Sequence, residues 1–135
     1  DSAAVRRAGE DVSLITYGGS LFKTLDAATQ LEAEGISAEV IDLRSLRPLD
    51  METVITSVIK TRRAVIVDEG WKSGSLSAEI GMRLAEEAFF ELDAPLARVC
   101  SEEVPIPFAQ HLEQAAIPQI SKIVAAVKTL MQAKP

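Results

Sequence analysis

At 135 residues, with 47% hydrophobic and 25% charged positions, the chain is long enough for one domain with a core of its own. Twenty acidic residues against 14 basic ones give a formal net charge of −6, which leaves no basic stripe for nucleic-acid phosphates. No apolar run approaches the ~18–20 residues needed to cross a bilayer, no signal-peptide pattern opens the chain, and a single cysteine, Cys100, excludes an intrachain disulfide.

Val5 to Arg7 suits a short edge strand, turned by Gly9. Val12 to Tyr17 (VSLITY) is rich in β-branched residues and closes on Gly18-Gly19, which predicts a strand. From Ser20 to Glu34, Leu21, Leu25, Ala28 and Leu31 fall at steps of three and four along one helix face. Gly35 follows as a left-handed stop, over which Ile36 can close. Ala38 to Leu43 (AEVIDL) predicts the next strand, and Arg47-Pro48-Leu49-Asp50 a turn. Asp50 is the expected N-cap of a helix running to Thr61.

Ala64 to Asp68 has four apolar residues without alternation, the pattern of a parallel strand covered on both faces. Asp68 and Glu69 are expected to meet solvent, and Gly70 and Gly74 to allow a tight turn before a helix from Leu76 to Glu91. Asp93-Ala94-Pro95 breaks that helix, and Leu96 to Cys100 makes a short strand. Ser101 to Ala116, with Pro105 and Pro107, reads as loop. Pro118 suits the first turn of a final helix, whose Ile120, Ile123, Val124, Val127, Leu130 and Met131 form the strongest apolar stripe in the chain.

This alternation of strands and helices predicts an α/β domain with a parallel sheet covered by helices on both faces. If the sheet reverses between the Val12 and Ala64 strands, their carboxyl ends flank a crevice. Its rim would be Tyr17-Gly18-Gly19-Ser20 and Asp68-Glu69-Gly70-Trp71.

The residues that carry chemistry do not assemble into a catalytic, cofactor-binding or metal set. Gly18-Gly19-Ser20 could offer backbone N–H groups to an anion, or simply make a compact turn with Ser20 near the N-cap. Neither G-x-G-x-x-G nor G-x-x-x-x-G-K-[ST] occurs. Asp68 and Glu69 read as acids that diverge, one solvated and one capping, rather than as a catalytic pair. His111, the sole histidine, has no nucleophile motif beside it, and Cys100 reads as a buried inert thiol. One His, one Cys and scattered acids make no metal centre. Trp71, on a glycine-flanked loop, suits an interface or local packing equally.

Glu86, Glu87, Glu91, Asp93, Glu102 and Glu103 concentrate acid in the last third of the chain. Those near the third helix's carboxyl end oppose its dipole, so a compensating cation is expected. Such a cluster is either a solvated face or a docking patch for a basic protein partner. As read, the chain is a scaffold or interaction domain.

Five stretches carry a family resemblance: GEDVSLITYG, GISAEVIDLRSLRPLD, VIVDEGWKSGSLSAEI, LDAP and VPIPFAQHLEQAAIP. Together they resemble the carboxyl-terminal domain of the beta subunit of thiamine-diphosphate-dependent 2-oxo acid dehydrogenases, a domain type shared with transketolase. The likeness runs from about Val5 to Met131. DEGW before a glycine-serine loop is more similar to pyruvate-type members than to branched-chain ones, with acetoin-type relatives also in range.

The resemblance implies a three-layer α/β/α domain with a five-stranded, mostly parallel sheet and one short antiparallel edge strand, for which Val5 to Arg7 is the candidate. It implies a single domain over residues 1–135, itself a fragment of a longer beta subunit, as the opening Asp1 without methionine also suggests. The parent enzyme would decarboxylate a 2-oxo acid and pass the acyl group to lipoyl groups of a dihydrolipoyl acyltransferase. Its thiamine diphosphate and magnesium would be held elsewhere, between the alpha subunit and the beta subunit's amino-terminal domain. This domain would instead pair with a second beta subunit and hold the acyltransferase's basic subunit-binding domain, with no role toward nucleic acid or membrane. Asp93, Glu102 and Glu103 are the docking residues implied, with Trp71 a further interface candidate; Ser101-Glu102-Glu103 departs from the family's usual Gly or Pro and Asp. The location implied is cytoplasmic, or the mitochondrial matrix in a eukaryote, and the lone thiol fits a reducing compartment. A rival reading is a free-standing domain that binds a small molecule or anion in the crevice near Gly18 and Gly70.

Overall fold

In a computed structural model that describes residues 2–71, 76–101 and 120–133, five strands form one sheet in the order β1-β3-β2-β4-β5. The elements are β1 (Ala4–Arg7), β2 (Val12–Thr16), α1 (Ser20–Ala33), β3 (Ala38–Asp42), α2 (Met51–Thr61), β4 (Ala64–Trp71), α3 (Leu76–Ala88), β5 (Ala97–Ser101) and α4 (Ile120–Gln132). β2, β3, β4 and β5 run parallel, while β1 pairs antiparallel with β3 at the edge, as expected for Val5 to Arg7.

The uninterrupted apolar runs of the parallel strands split between two cores. Val12, Leu14, Val40, Val65 and Val67 face α1 and α4, where they meet Leu21, Leu31, Ile123 and Val127. Ile15, Ile41, Ala64 and Ile66 face α2 and α3, where they meet Val54, Val58, Ile80 and Leu84. Successive strand residues point to opposite faces, so a strand buried on both sides needs apolar residues at every step. Most of these side chains are wholly buried, and truncating one to alanine costs about 2–5 kcal/mol.

Local chemistry sets the boundaries. Gly35, at φ +83°, ends α1, and the Ile36 N–H returns to the Leu31 carbonyl at 2.9 Å. Asp50 caps α2, its Oδ1 accepting from the Thr53 N–H at 3.1 Å and its Oδ2 from the Ala3 N–H at 3.0 Å. Thr53 holds the Asp50 carboxyl below its ordinary range, through its hydroxyl first and then its N–H.

Several ends differ from the sequence pattern. α1 begins at Gly19 with no side-chain cap, and Ser20 is its first helical residue rather than the cap. β4 continues past Asp68 to Trp71, because Trp71 still finds a ladder partner, Ser101, after an irregularity in the register. α3 stops at Ala88, and a 3₁₀ turn (Phe89–Glu91) completes the predicted helix. Asp68 is buried rather than solvated, and Cys100 is half-buried rather than sealed. The loop predicted beyond Ser101, with His111 and Pro118, lies outside the described residues.

Candidate functional site

The strand order places the reversal of the sheet between β2 and β4: the chain leaves β2 for β3 on one side and returns for β4 on the other. Open α/β sheets commonly bind ligands outside the carboxyl ends of the strands at this point. Here the two strand ends are tied together. Tyr17 Oη donates to Asp68 Oδ1 at 2.5 Å, and Asp68 Oδ2 accepts from the Ser77 N–H, in the first turn of α3, at 2.9 Å. Asp68 is therefore the capping member of the acidic pair and the exposed Glu69 the solvated one, as the sequence suggested. Burial, then the hydrogen bond from Tyr17 to Asp68 and the charges of Asp68 and Glu69, raise the Tyr17 phenol above its usual range. Ser77 Oγ also lies 3.3 Å from Cys100 Sγ and 3.5 Å from Arg98 Nη1.

On the other side of the crevice stands a carboxylate. A Cβ on Gly19 would stand 2.8 Å from Glu69 Oε1, so a carboxylate already lies against the amino end of α1. Thr16 Oγ1 and Ser20 Oγ, both fully buried, have no hydrogen-bond partner among the described residues. Among the described residues, none makes a fitting site for thiamine diphosphate and its magnesium. Glu69 sets a carboxylate beside the amino end of α1, where a diphosphate would approach, and no three His, Cys, Asp or Glu residues converge as a metal set among the described residues.

A second feature lies at the far end of α3. Ala85, Phe89, Phe90, Leu92, Asp93, Ala94, Pro95 and Leu96 line a groove of about 580 Å³. Phe90 is 90% exposed and Phe89 62%, their rings packed edge to face at 5.4 Å. Large apolar side chains this exposed are uncommon on a surface that stays uncovered. Asp93, the docking residue expected in LDAP, sits on the rim of this groove.

Asp93 is not free there. Arg62 Nε donates to its Oδ1 at 3.1 Å, and Arg62 Nη1 donates to Glu91 Oε2 at 3.1 Å. This guanidinium is the compensating cation that the acidic end of α3 called for. Asp93 above all, then Glu91, hold Arg62 firmly protonated. Arg62 carried no sequence signal as a site residue. Adjacent phenylalanines at a helix end, read against solvent, were the signal for the groove. Glu102 and Glu103 lie outside the described residues. Trp71 is found on the end of β4 rather than on a loop, and its packing lies outside the described side chains.

The Transketolase, C-terminal domain family model matches residues 1–123. The chain belongs to that family. It is 43% identical to the pyruvate dehydrogenase E1 component subunit beta of Rhizobium meliloti (strain 1021), over 95% of this chain and 28% of that one. The mitochondrial beta-1 subunit of Arabidopsis thaliana is 48% identical over 93% of this chain and 35% of its own length. The beta subunit of an acetoin:2,6-dichlorophenolindophenol oxidoreductase from Cupriavidus necator is 42% identical over 96% of this chain and 38% of its own. Among solved structures, a split gene transketolase, in an inactive beta4 tetramer, superposes with a TM-score of 0.84 at 32% identity, over 98% of this chain and 42% of that one. The three-layer fold with its antiparallel edge strand agrees with that likeness. The chain spans between 28% and 38% of the length of these curated relatives.

Proposed function

We propose that this chain is the non-catalytic pairing and docking domain of the beta subunit of a pyruvate-type 2-oxo acid dehydrogenase, a single unit within a longer chain. The parent enzyme oxidatively decarboxylates a 2-oxo acid with thiamine diphosphate and magnesium bound outside this domain, and transfers the acyl group to lipoyl groups of a dihydrolipoyl acyltransferase. The alpha subunit, a second beta subunit and the acyltransferase's basic subunit-binding domain are its partners. Its location is that of the parent, mitochondrial where the relatives' own names say so and cytoplasmic in a bacterium.

The observation that carries the docking role is the groove under Phe89 and Phe90, rimmed by Asp93 and Glu91. An apolar centre with a charged rim is the anatomy of a protein interface, and an acidic rim selects a basic partner. Glu102, Glu103 and Trp71 are kept as proposed partner contacts on their place in the sequence alone. The acidic crevice, with Glu69 against α1, disfavours the rival anion-binding role.

Isothermal titration of the chain with the subunit-binding domain of its acyltransferase, at low and moderate salt, tests docking. Salt-sensitive binding is expected, and a folded chain that binds at neither salt overturns it. Sedimentation velocity tests pairing: concentration-dependent dimerisation is expected, and a monomer at every concentration overturns that part.

A further inference from the structure

We infer that Arg62 is an internal occupant of the acidic dock, and that a partner's guanidinium engages Asp93 and Glu91 by replacing it. This rests on the docking reading above and adds the mechanism of engagement.

Two observations point to exchange. The backbone alone holds Arg62 in place: its N–H donates to the Val58 carbonyl at 2.7 Å, and its own carbonyl accepts from the Asp93 N–H at 2.8 Å. The join between α2 and the segment leading to β5 therefore survives if the side chain leaves. Secondly, the ion pairs are open to water, with side-chain exposures of 41% for Arg62, 43% for Glu91 and 31% for Asp93. Such pairs are screened and weak, and so readily exchanged.

The groove beside them gives an incoming arginine an advantage that Arg62 lacks. Phe89, Phe90, Leu92, Pro95 and Leu96 would be covered by apolar residues flanking the partner's arginine, and Asp93 would lose water at the same moment. The same charge pair is stronger once desolvated. Arg62 already donates to Asp93 Oδ1 and Glu91 Oε2, so a guanidinium that takes those same oxygens displaces it rather than joining it. The fitting partner is thus a segment with an arginine bordered by apolar side chains.

Arg62 also occupies a left-handed position, φ +65°, where glycine is the usual residue. Arg62→Gly therefore removes the guanidinium without opposing the backbone, and Arg62→Gln provides a second variant that keeps side-chain length. The probe is the acyltransferase's subunit-binding domain, titrated at low salt against the wild-type chain, both Arg62 variants, Asp93→Asn and Arg83→Gln. The last is a control for net charge on α3, and no ion pair of Arg83 is seen among the described residues.

Both Arg62 variants should tighten binding about two- to fivefold, the span of an exposed ion pair. Asp93→Asn should weaken it about tenfold, and Arg83→Gln should change it less than either Arg62 variant. Unchanged or weaker binding by the Arg62 variants, with Asp93→Asn still weakening it, overturns the exchange and leaves docking intact. Equal tightening by Arg83→Gln also overturns the exchange, because net charge then accounts for the effect. No effect from any variant overturns the docking role of Asp93 and, with it, the exchange.

Discussion

Tyr17 Oη and Asp68 Oδ1, 2.5 Å apart, join the carboxyl ends of β2 and β4 at the point where the sheet reverses. Many α/β domains leave that point open for a ligand; here a phenol spans it, and Asp68 goes on to cap α3 through the Ser77 N–H. Tyr17→Phe keeps the ring and removes one donor to a buried carboxylate. It should cost about 1.5–3 kcal/mol. Urea unfolding at pH 7 measures it, and a cost below about 0.5 kcal/mol would show that the bond is idle.

How much of this was legible in the residues depends on the range of the interaction. The β4 run Ala64-Val65-Ile66-Val67 announces a doubly covered strand because every position must be apolar, and Asp50 announces α2 because its partner is three residues away. Asp68 was legible in part: the pairing of adjacent acids suggests that one caps, but neither its burial nor its bond to Tyr17, 51 residues earlier, follows from any local pattern. Arg62 was silent for the same reason: its partners, 29 and 31 residues later, come near only when α2 and the end of α3 lie side by side. Asp93 was placed by resemblance, not by any local rule. The fold is written in short-range pattern, and the candidate site in long-range pairing.

Thr16 Oγ1 and Ser20 Oγ are buried without partners among the described residues, so each hydroxyl has lost water and gained nothing in return. Thr16→Val and Ser20→Ala keep most of the packing and remove the stranded group. Each is expected to be neutral or stabilising by up to about 1 kcal/mol. Thermal melts of the two single variants check this, and a loss beyond about 1 kcal/mol in either would mean that its hydroxyl is bonded.

Glu39 anchors the β1 edge. It is 3% exposed, and its Oε1 accepts from Lys60 Nζ at 2.5 Å and from the Gly9 N–H at 3.2 Å. Burial alone would raise this carboxyl, but hydrogen bonds from Lys60, Ser57 and Gly9 outweigh it and hold it below the ordinary value. A carboxyl lowered by folding contributes stability above its unfolded pKa, near 4.5, and loses it as pH falls through the lower folded value. Glu39→Gln should therefore cost about 1–3 kcal/mol at pH 7, and progressively less below about pH 4.5. Paired unfolding curves at pH 7 and pH 3 read it, and an equal deficit at both would assign the effect to packing rather than charge.

Gly9 is required by close approach. A Cβ there would stand 2.2 Å from the Ala38 carbonyl carbon and 2.4 Å from the Glu39 nitrogen, both backbone atoms with no freedom to swing aside. Gly9→Ala must push the β1 turn off β3, loosening the Glu39 contact with it. A loss of about 2–4 kcal/mol is expected from equilibrium denaturation. Full retention of stability would mean that the turn moves away cheaply.

Phe90 separates surface function from stability most cleanly. At 90% exposure it contributes little to the core, so Phe90→Ser should change stability by no more than about 0.5 kcal/mol. If the groove beside Asp93 is the dock, the same change removes an aromatic anchor, and anchors of this kind carry a large share of interface energy. The affinity of the subunit-binding domain should then fall about tenfold or more, and the loss should persist at moderate salt because it is apolar in origin. Asp93→Asn should instead lose most of its effect as salt rises. A Phe90→Ser chain that melts as wild type and binds as tightly would remove the aromatic pair from the interface and leave docking to the charged rim alone.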